Sequence, residues 1–134
     1  MMRLGAIVAL LAASITAQAQ LTVTVSPPKV TGSRSVVPLA LKNNLSEKVE
    51  SARAVCFLLD AQGKIAGQAT RWVIGGTNTN GLAAGATNGF HFVIPTERTT
   101  STNLTAKVSF SRVVLEGGKL ADVTKDVQIH NASK

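Results

Sequence analysis

Cysteine is nearly absent from this chain: Cys56 is the only one in 134 residues. A single thiol excludes an internal disulfide, so packing alone must hold the fold. Cys56 lies between Val55 and Phe57 and reads as a buried thiol on a strand, with an intermolecular disulfide as the alternative. Aromatic residues are scarce too, with four Phe, one Trp and no Tyr. That is too little for base-stacking platforms, so no nucleic-acid partner is expected. Acidic residues number seven against fourteen Lys plus Arg. Asp60, Glu97, Glu116, Asp122 and Asp126 are dispersed, so the clustered oxygen ligands of a calcium loop are missing and nothing marks a glycosidase pair.

Long apolar runs are also missing beyond the N-terminus. There, Met1-Met2-Arg3 is followed by an uncharged, mostly apolar stretch from Leu4 to Ile15 and by Ala17-Gln18-Ala19. A positive start, an apolar middle and a small-x-small end make a cleavable signal peptide over residues 1–19. A membrane span needs about 20 apolar residues, more than this run supplies. No Cys follows the cleavage point, which argues against a lipid anchor. The expectation is an exported protein, periplasmic or secreted, with no transmembrane segment in its mature form. Residues 20–130 would form one domain, and 131–134 a flexible tail.

Outside the leader no window keeps a three-to-four periodicity, so helices are not expected. Two-residue alternation takes its place. Leu21 to Val25 alternates apolar with β-branched polar residues, and Pro27-Pro28 stops it. Ser35 to Lys42 puts Val37, Leu39 and Leu41 on one face; Pro38 within it demands an unpaired side or a bulge. Ala52–Asp60 and Lys64–Ile74 flank Asp60-Ala61-Gln62-Gly63, a turn sequence in which Asp caps the backbone and Gly63 takes the left-handed conformation. This is the central hairpin, and Val55, Phe57 and Leu59 on its first arm are expected to face the core. Phe90, Phe92 and Ile94 form one face of a further strand, which leaves His91 in solvent.

Leu104 to Arg112 shows the cleanest alternation, with Leu104, Ala106, Val108 and Phe110 inward, and Val113 to Leu115 continuing it through a bulge. Glu116 to Lys119 reads as a hairpin turn before a last strand from Val123 to Ile129. About seven strands with turns between them indicate an all-β fold, an antiparallel two-sheet immunoglobulin-like sandwich.

The segment Gly75–Gly89 holds five Gly and three Asn and reads as one long loop, with Leu82 tacking its middle to the body. Trp72 just before it reads as a core plug, the alternative being a ligand platform. The chain resembles the FxLYD family of small exported bacterial domains at Phe57-Leu58-Leu59-Asp60 followed by Gly63, at the strand from Val37 ending in Asn43, and at Leu82-Ala-Ala-Gly85 before Phe90-His91-Phe92. The resemblance covers roughly residues 30 to 115. Leu59 stands where the family has Tyr. What it implies is an immunoglobulin-like sandwich in the envelope or outside the cell, with no catalytic residues to carry over.

The residues themselves offer little chemistry. His91, His130 and Cys56 lack the local spacing of a zinc motif, and Cys56 as a nucleophile would need exposure and a partner His. The glycines lack the Lys-Ser/Thr of a phosphate loop. Asn44, Asn103 and Asn131 begin glycosylation sequons, of consequence only in a eukaryotic host. No enzyme, cofactor or metal is therefore expected. The expected role is a binding or accessory module that contacts another envelope or secreted protein through the Gly75–Gly89 loop, with Arg71, Trp72, Asn78, Asn80 and Leu82 as candidate contacts. The alternative rests on the net charge of +7, which favours attachment to an anionic lipid or glycan surface.

Overall fold

A computed structural model describes residues 19–76, 80–96 and 103–132. The proposed leader up to residue 18, Asn78, and residues 133–134 of the proposed tail lie outside the described residues.

Among the described residues eight strands form two sheets. They are β1 (Leu21–Val25), β2 (Lys29–Thr31), β3 (Arg34–Asn43), β4 (Val49–Leu59), β5 (Ile65–Ile74), β6 (Thr87–Pro95), β7 (Thr105–Leu115) and β8 (Val127–Asn131). In the first sheet β3 is central. Its whole length pairs with β6 on one side, while β2 and then β1 share its other side, and β8 lies outside β1. The second sheet is β5-β4-β7. The chain is thus the expected all-β sandwich, with two departures. β2 is an extra strand, formed because Gly32 (φ 63) closes a tight hairpin between Thr31 and Arg34. And β8 runs parallel to β1, Val23 opposite Ile129, instead of closing a hairpin with β7.

Pro38 shows how a central strand accommodates proline. Its carbonyl accepts the Ser26 amide at 2.9 Å, so its nitrogen also faces the β1–β2 side. There Ser26–Pro28 separates the two short strands, and no ladder bond is lost.

The core is the layer between the sheets. The first sheet contributes Leu21, Val23, Val37, Leu39, Leu41, Phe92 and Ile94; the second contributes Ala52, Ala54, Cys56, Leu58, Val108, Phe110 and Val113. On β4 Ala52, Ala54 and Cys56 are small while the first sheet supplies bulky residues, a large-to-small balance suited to close packing of the layer. This corrects the expected facing of the hairpin: Val55, Phe57 and Leu59 are half-buried on the outer face of the second sheet. From Ala54 to Leu59 both faces of β4 are apolar, so alternation there could not choose between them, although Arg53 marks the outer side within the strand. The neighbours decide, because Phe57 lies between Gln68 and Lys107, whereas Cys56 lies between Ala69 and Val108.

The turns follow their residues. Asp60 Oδ1 accepts the amides of Gln62 and Lys64, both at 2.9 Å, Gly63 has φ 82, and a register shift separates Leu58 from Leu59. On β7 the alternation slips at Ser111, where the register jumps from Arg53–Arg112 to Ala54–Phe110, and this returns Val113 to the core. Glu116–Gly118 is a 3₁₀ turn. Val123 belongs to a turn rather than to the last strand, because Asp122 caps that turn through Thr124 and Lys125. Two residues of the proposed tail are held by the sheet: Asn131 pairs with Val25 in β8, and the Ala132 amide donates to the Val25 carbonyl at 2.8 Å.

Candidate functional site

The expected contact loop is shorter and better tied down than its composition implies. β6 begins at Thr87, and Leu82 exchanges both backbone hydrogen bonds with Val49, at 2.9 and 2.8 Å. Leu82 is 4 % exposed, so it serves the core and is not available to a partner. Asn43 anchors the segment. It is fully buried; its Nδ2 donates to the carbonyls of Glu47 (2.9 Å) and Leu82 (3.0 Å), and its Oδ1 accepts the Leu45 amide at 2.9 Å. Its backbone binds the same loop, accepting the Gly85 amide at 2.7 Å. Asn80 is exposed at the loop's described edge.

Trp72 is not a core plug. It is 42 % exposed on β5, and the Arg53 guanidinium lies 5.8 Å from its ring centroid, within cation–π reach. The bulge in register between Ala52 and Arg53 places these two side by side on the outer face of the second sheet. Arg71, one residue earlier, is in register with core-facing Ala54 and is exposed at the edge, its Nη1 donating to the Thr70 carbonyl at 2.8 Å. The expected pair of Arg71 and Trp72 is therefore split between the two sides of the strand, and Arg53 takes Arg71's place beside the indole.

Strand register builds the outer face in rows. Trp72, Arg53 and Arg112 form one row; Thr70, Val55 and Ser109 the next; then Gln68, Phe57 and Lys107; and last Ile65, Leu59 and Thr105. An apolar stripe from β4 runs down the middle, with an exposed indole and Ile65 (58 % exposed) on one flank and cations on the other. The described carboxylates lie away from these rows. Glu47, Glu50, Glu116, Asp122 and Asp126 gather around the β3–β4 connection and the segment after β7, where Lys119 pairs with Glu47 at 3.0 Å and Glu50 accepts the Gly117 amide. Asp60 sits in the β4–β5 turn. Sequence reading missed this face because Arg53, Phe57, Lys107 and Arg112 come together only through register. The polar partners Gln68, Thr70 and Ser109 were the signal that could have revealed it.

Cys56 is fully buried, and burial pushes its thiol up to about 11, so it remains protonated at neutral pH. Asp122 titrates below the usual carboxylate range, chiefly because the Thr124 hydroxyl donates to it at 2.7 Å. His91 is exposed, as expected, and His130 lies on β8. Among the described residues no three of His, Cys, Asp and Glu gather as a metal site. A cleft of about 290 Å³ opens at one end of the sandwich, lined by Val25, Pro27, Pro28, Leu104 and Ala132 among others, with no titratable side chain in its wall. No described helix is long and apolar enough to cross a membrane.

Compared with known proteins, the chain matches no family model and no curated protein. Among solved structures it is similar to the crystal structure of a Bordetella pertussis protein provisionally named ApaA. Identity is 18% and the TM-score 0.53, over 76% of this chain and 85% of that one. At that identity the likeness establishes the shared β-sandwich architecture.

Proposed function

We propose that this protein is an exported, non-enzymatic binding module of the cell envelope, and that it meets an acidic envelope or secreted protein through the outer face of the β5-β4-β7 sheet. The observation that carries this reading is the exposed Trp72–Arg53 pair at the head of an apolar stripe flanked by Lys107 and Arg112. Trp and Arg are the residues that most often dominate protein interfaces, since they combine a large contact area with directional polar groups. The rows of this face carry cations and none of the described carboxylates, which favours an anionic partner. This reading keeps the Trp72 contact expected from sequence and moves the rest of the surface from the Gly75–Gly89 loop onto the strands. Membership of an FxLYD-like group of envelope domains is part of the same proposal.

A pull-down from an envelope fraction tests it. Trp72→Ala and Arg53→Gln should each release the captured partner while the thermal unfolding curve stays in place. Capture undiminished by both substitutions refutes the assigned face. A second reading, attachment to an anionic lipid or glycan surface, draws on the same row of cations and the +7 charge. Co-sedimentation with phosphatidylglycerol vesicles should then weaken steeply between low and physiological salt, and binding indifferent to salt removes it.

A further inference from the structure

Open strand edges invite pairing, and natural sheets block them with short strands, charges, bulges or a covering segment. Four of the five edges here carry such a device. β2 and β8 have three and five residues. β5 carries Arg71, follows Lys64 and is irregular at both ends of its pairing with β4. β7 carries Lys107 and Arg112 and a register shift, and the returning chain covers its end through the Ala121 amide on the Val113 carbonyl. Among the described residues β6 has none of these from Thr87 to Val93; at Pro95 another strand approaches, Gly67 of β5 lying so close that an added Cβ would stand 2.9 Å from the Pro95 carbonyl oxygen. Its nine residues include no Lys, Arg, Asp or Glu, its register with β3 is unbroken from Arg34–Pro95 to Lys42–Thr87, and its proline is the last residue. Among the described residues it pairs with β3 alone.

The hydrogen-bond phase shows which groups this edge presents. Beyond the two ends of the β3–β6 ladder, the Asn43 amide donates to the Ala86 carbonyl at 3.0 Å and the Thr96 amide to the Ser33 carbonyl at 2.8 Å. Bonded and non-bonded pairs alternate in an antiparallel ladder. Asn88, Phe90, Phe92 and Ile94 therefore turn their backbone groups to β3, and Gly89, His91 and Val93 turn theirs outward.

We propose that β6 is a self-pairing edge through which two copies of this chain form a two-fold dimer with one continuous sheet. With the axis at His91, His91 faces the second copy's His91 and Gly89 faces the second copy's Val93, each pair exchanging both backbone hydrogen bonds. The side chains fit the same register. Val93 is 41 % exposed on the outer face, out of place for an isolated edge. Opposite it in the dimer lies Gly89, where an added Cβ would meet only the Leu39 carbonyl oxygen, at 3.8 Å. Gly89, Ala40 and Thr24 line a furrow there, so the valine of one copy has an apolar seat on the other. The bulky outer residue meets the small one when the edge is read in either direction, and this self-complementarity selects a second copy over an unrelated strand.

Sedimentation velocity on the purified protein from low micromolar to submillimolar concentration tests the dimer, with two variants. Val93→Lys places a charge on the edge, and Val93→Pro deletes an outward amide while leaving the bonds to β3. Both should raise the dimer dissociation constant about tenfold or more, with the β-sheet circular dichroism unchanged. Amide exchange on the unmodified chain gives an independent reading: the Gly89, His91 and Val93 amides should slow as concentration rises, and those of Phe90 and Phe92 should not change. A chain that stays monomeric over the whole range, or a dimer that withstands both substitutions, overturns the proposal.

Discussion

Asn43→Ala should be among the most damaging single substitutions in this protein, although it removes no apolar surface. The side chain is fully buried and every one of its bonds is to backbone. On truncation, the Leu82 carbonyl keeps the Val49 amide at 2.9 Å, but the Leu45 amide and the Glu47 carbonyl each lose the Asn43 partner. A buried polar group without a partner costs about 1–3 kcal/mol. Two partly buried groups together give about 2–4 kcal/mol, or a fall in Tm of roughly 10 °C for a domain of this size. Asn43→Asp is the sharper test. It keeps the shape and the acceptor for Leu45 but turns a carboxylate oxygen toward two carbonyl oxygens, so it should cost at least as much as alanine. Urea unfolding followed by Trp72 fluorescence measures both. A loss under about 1 kcal/mol for Asn43→Ala, or an Asp variant clearly more stable than the Ala variant, refutes the reasoning.

Other outcomes follow from the same packing. Leu58→Ala, in the core, should cost about 2–5 kcal/mol, and Phe57→Ala, on the half-buried outer face, clearly less; the reverse order in urea unfolding would restore the facing expected from sequence. Native Cys56 should resist thiol labelling that urea makes rapid. Because its folded titration lies near 11 against an ordinary 9.0, stability should be indifferent to this group below about pH 9 and fall as pH rises toward 11, which thermal melts in alkaline buffers will show. Gly75→Ala combines a φ of 79° with a Cβ placed 2.5 Å from the Glu50 carbonyl oxygen, whereas Gly85→Ala has a similar φ of 81° and open space. The first should therefore lower Tm several times more than the second.

Much of the fold was legible in the sequence because local rules governed it. Two-residue alternation fixed β7 and its inward set, and Asp60 with Gly63 fixed the central hairpin down to its bulge. Val37, Leu39 and Leu41 fixed the core face of β3 through their two-residue spacing, with Pro38, Ala40 and Lys42 alternating between and after them. The contact of Leu82 with the body was legible too, as the one large apolar residue in a loop of glycine, alanine and polar residues.

What the sequence by itself determined is an all-β chain with one core, no internal disulfide and a surplus of positive charge. Only the tertiary structure decided which face of β4 is buried, because both faces are apolar from Ala54 to Leu59 and the choice belongs to the strands on either side. Only the tertiary structure decided that Trp72 stacks with Arg53, nineteen positions earlier, that β8 joins β1 in parallel, and that β6 pairs with β3 alone among the described residues. Each of these depends on strands paired across long sequence separations. Local pattern sets the conformation of a strand, but register and sheet order arise from fitting large side chains against small ones across the whole core.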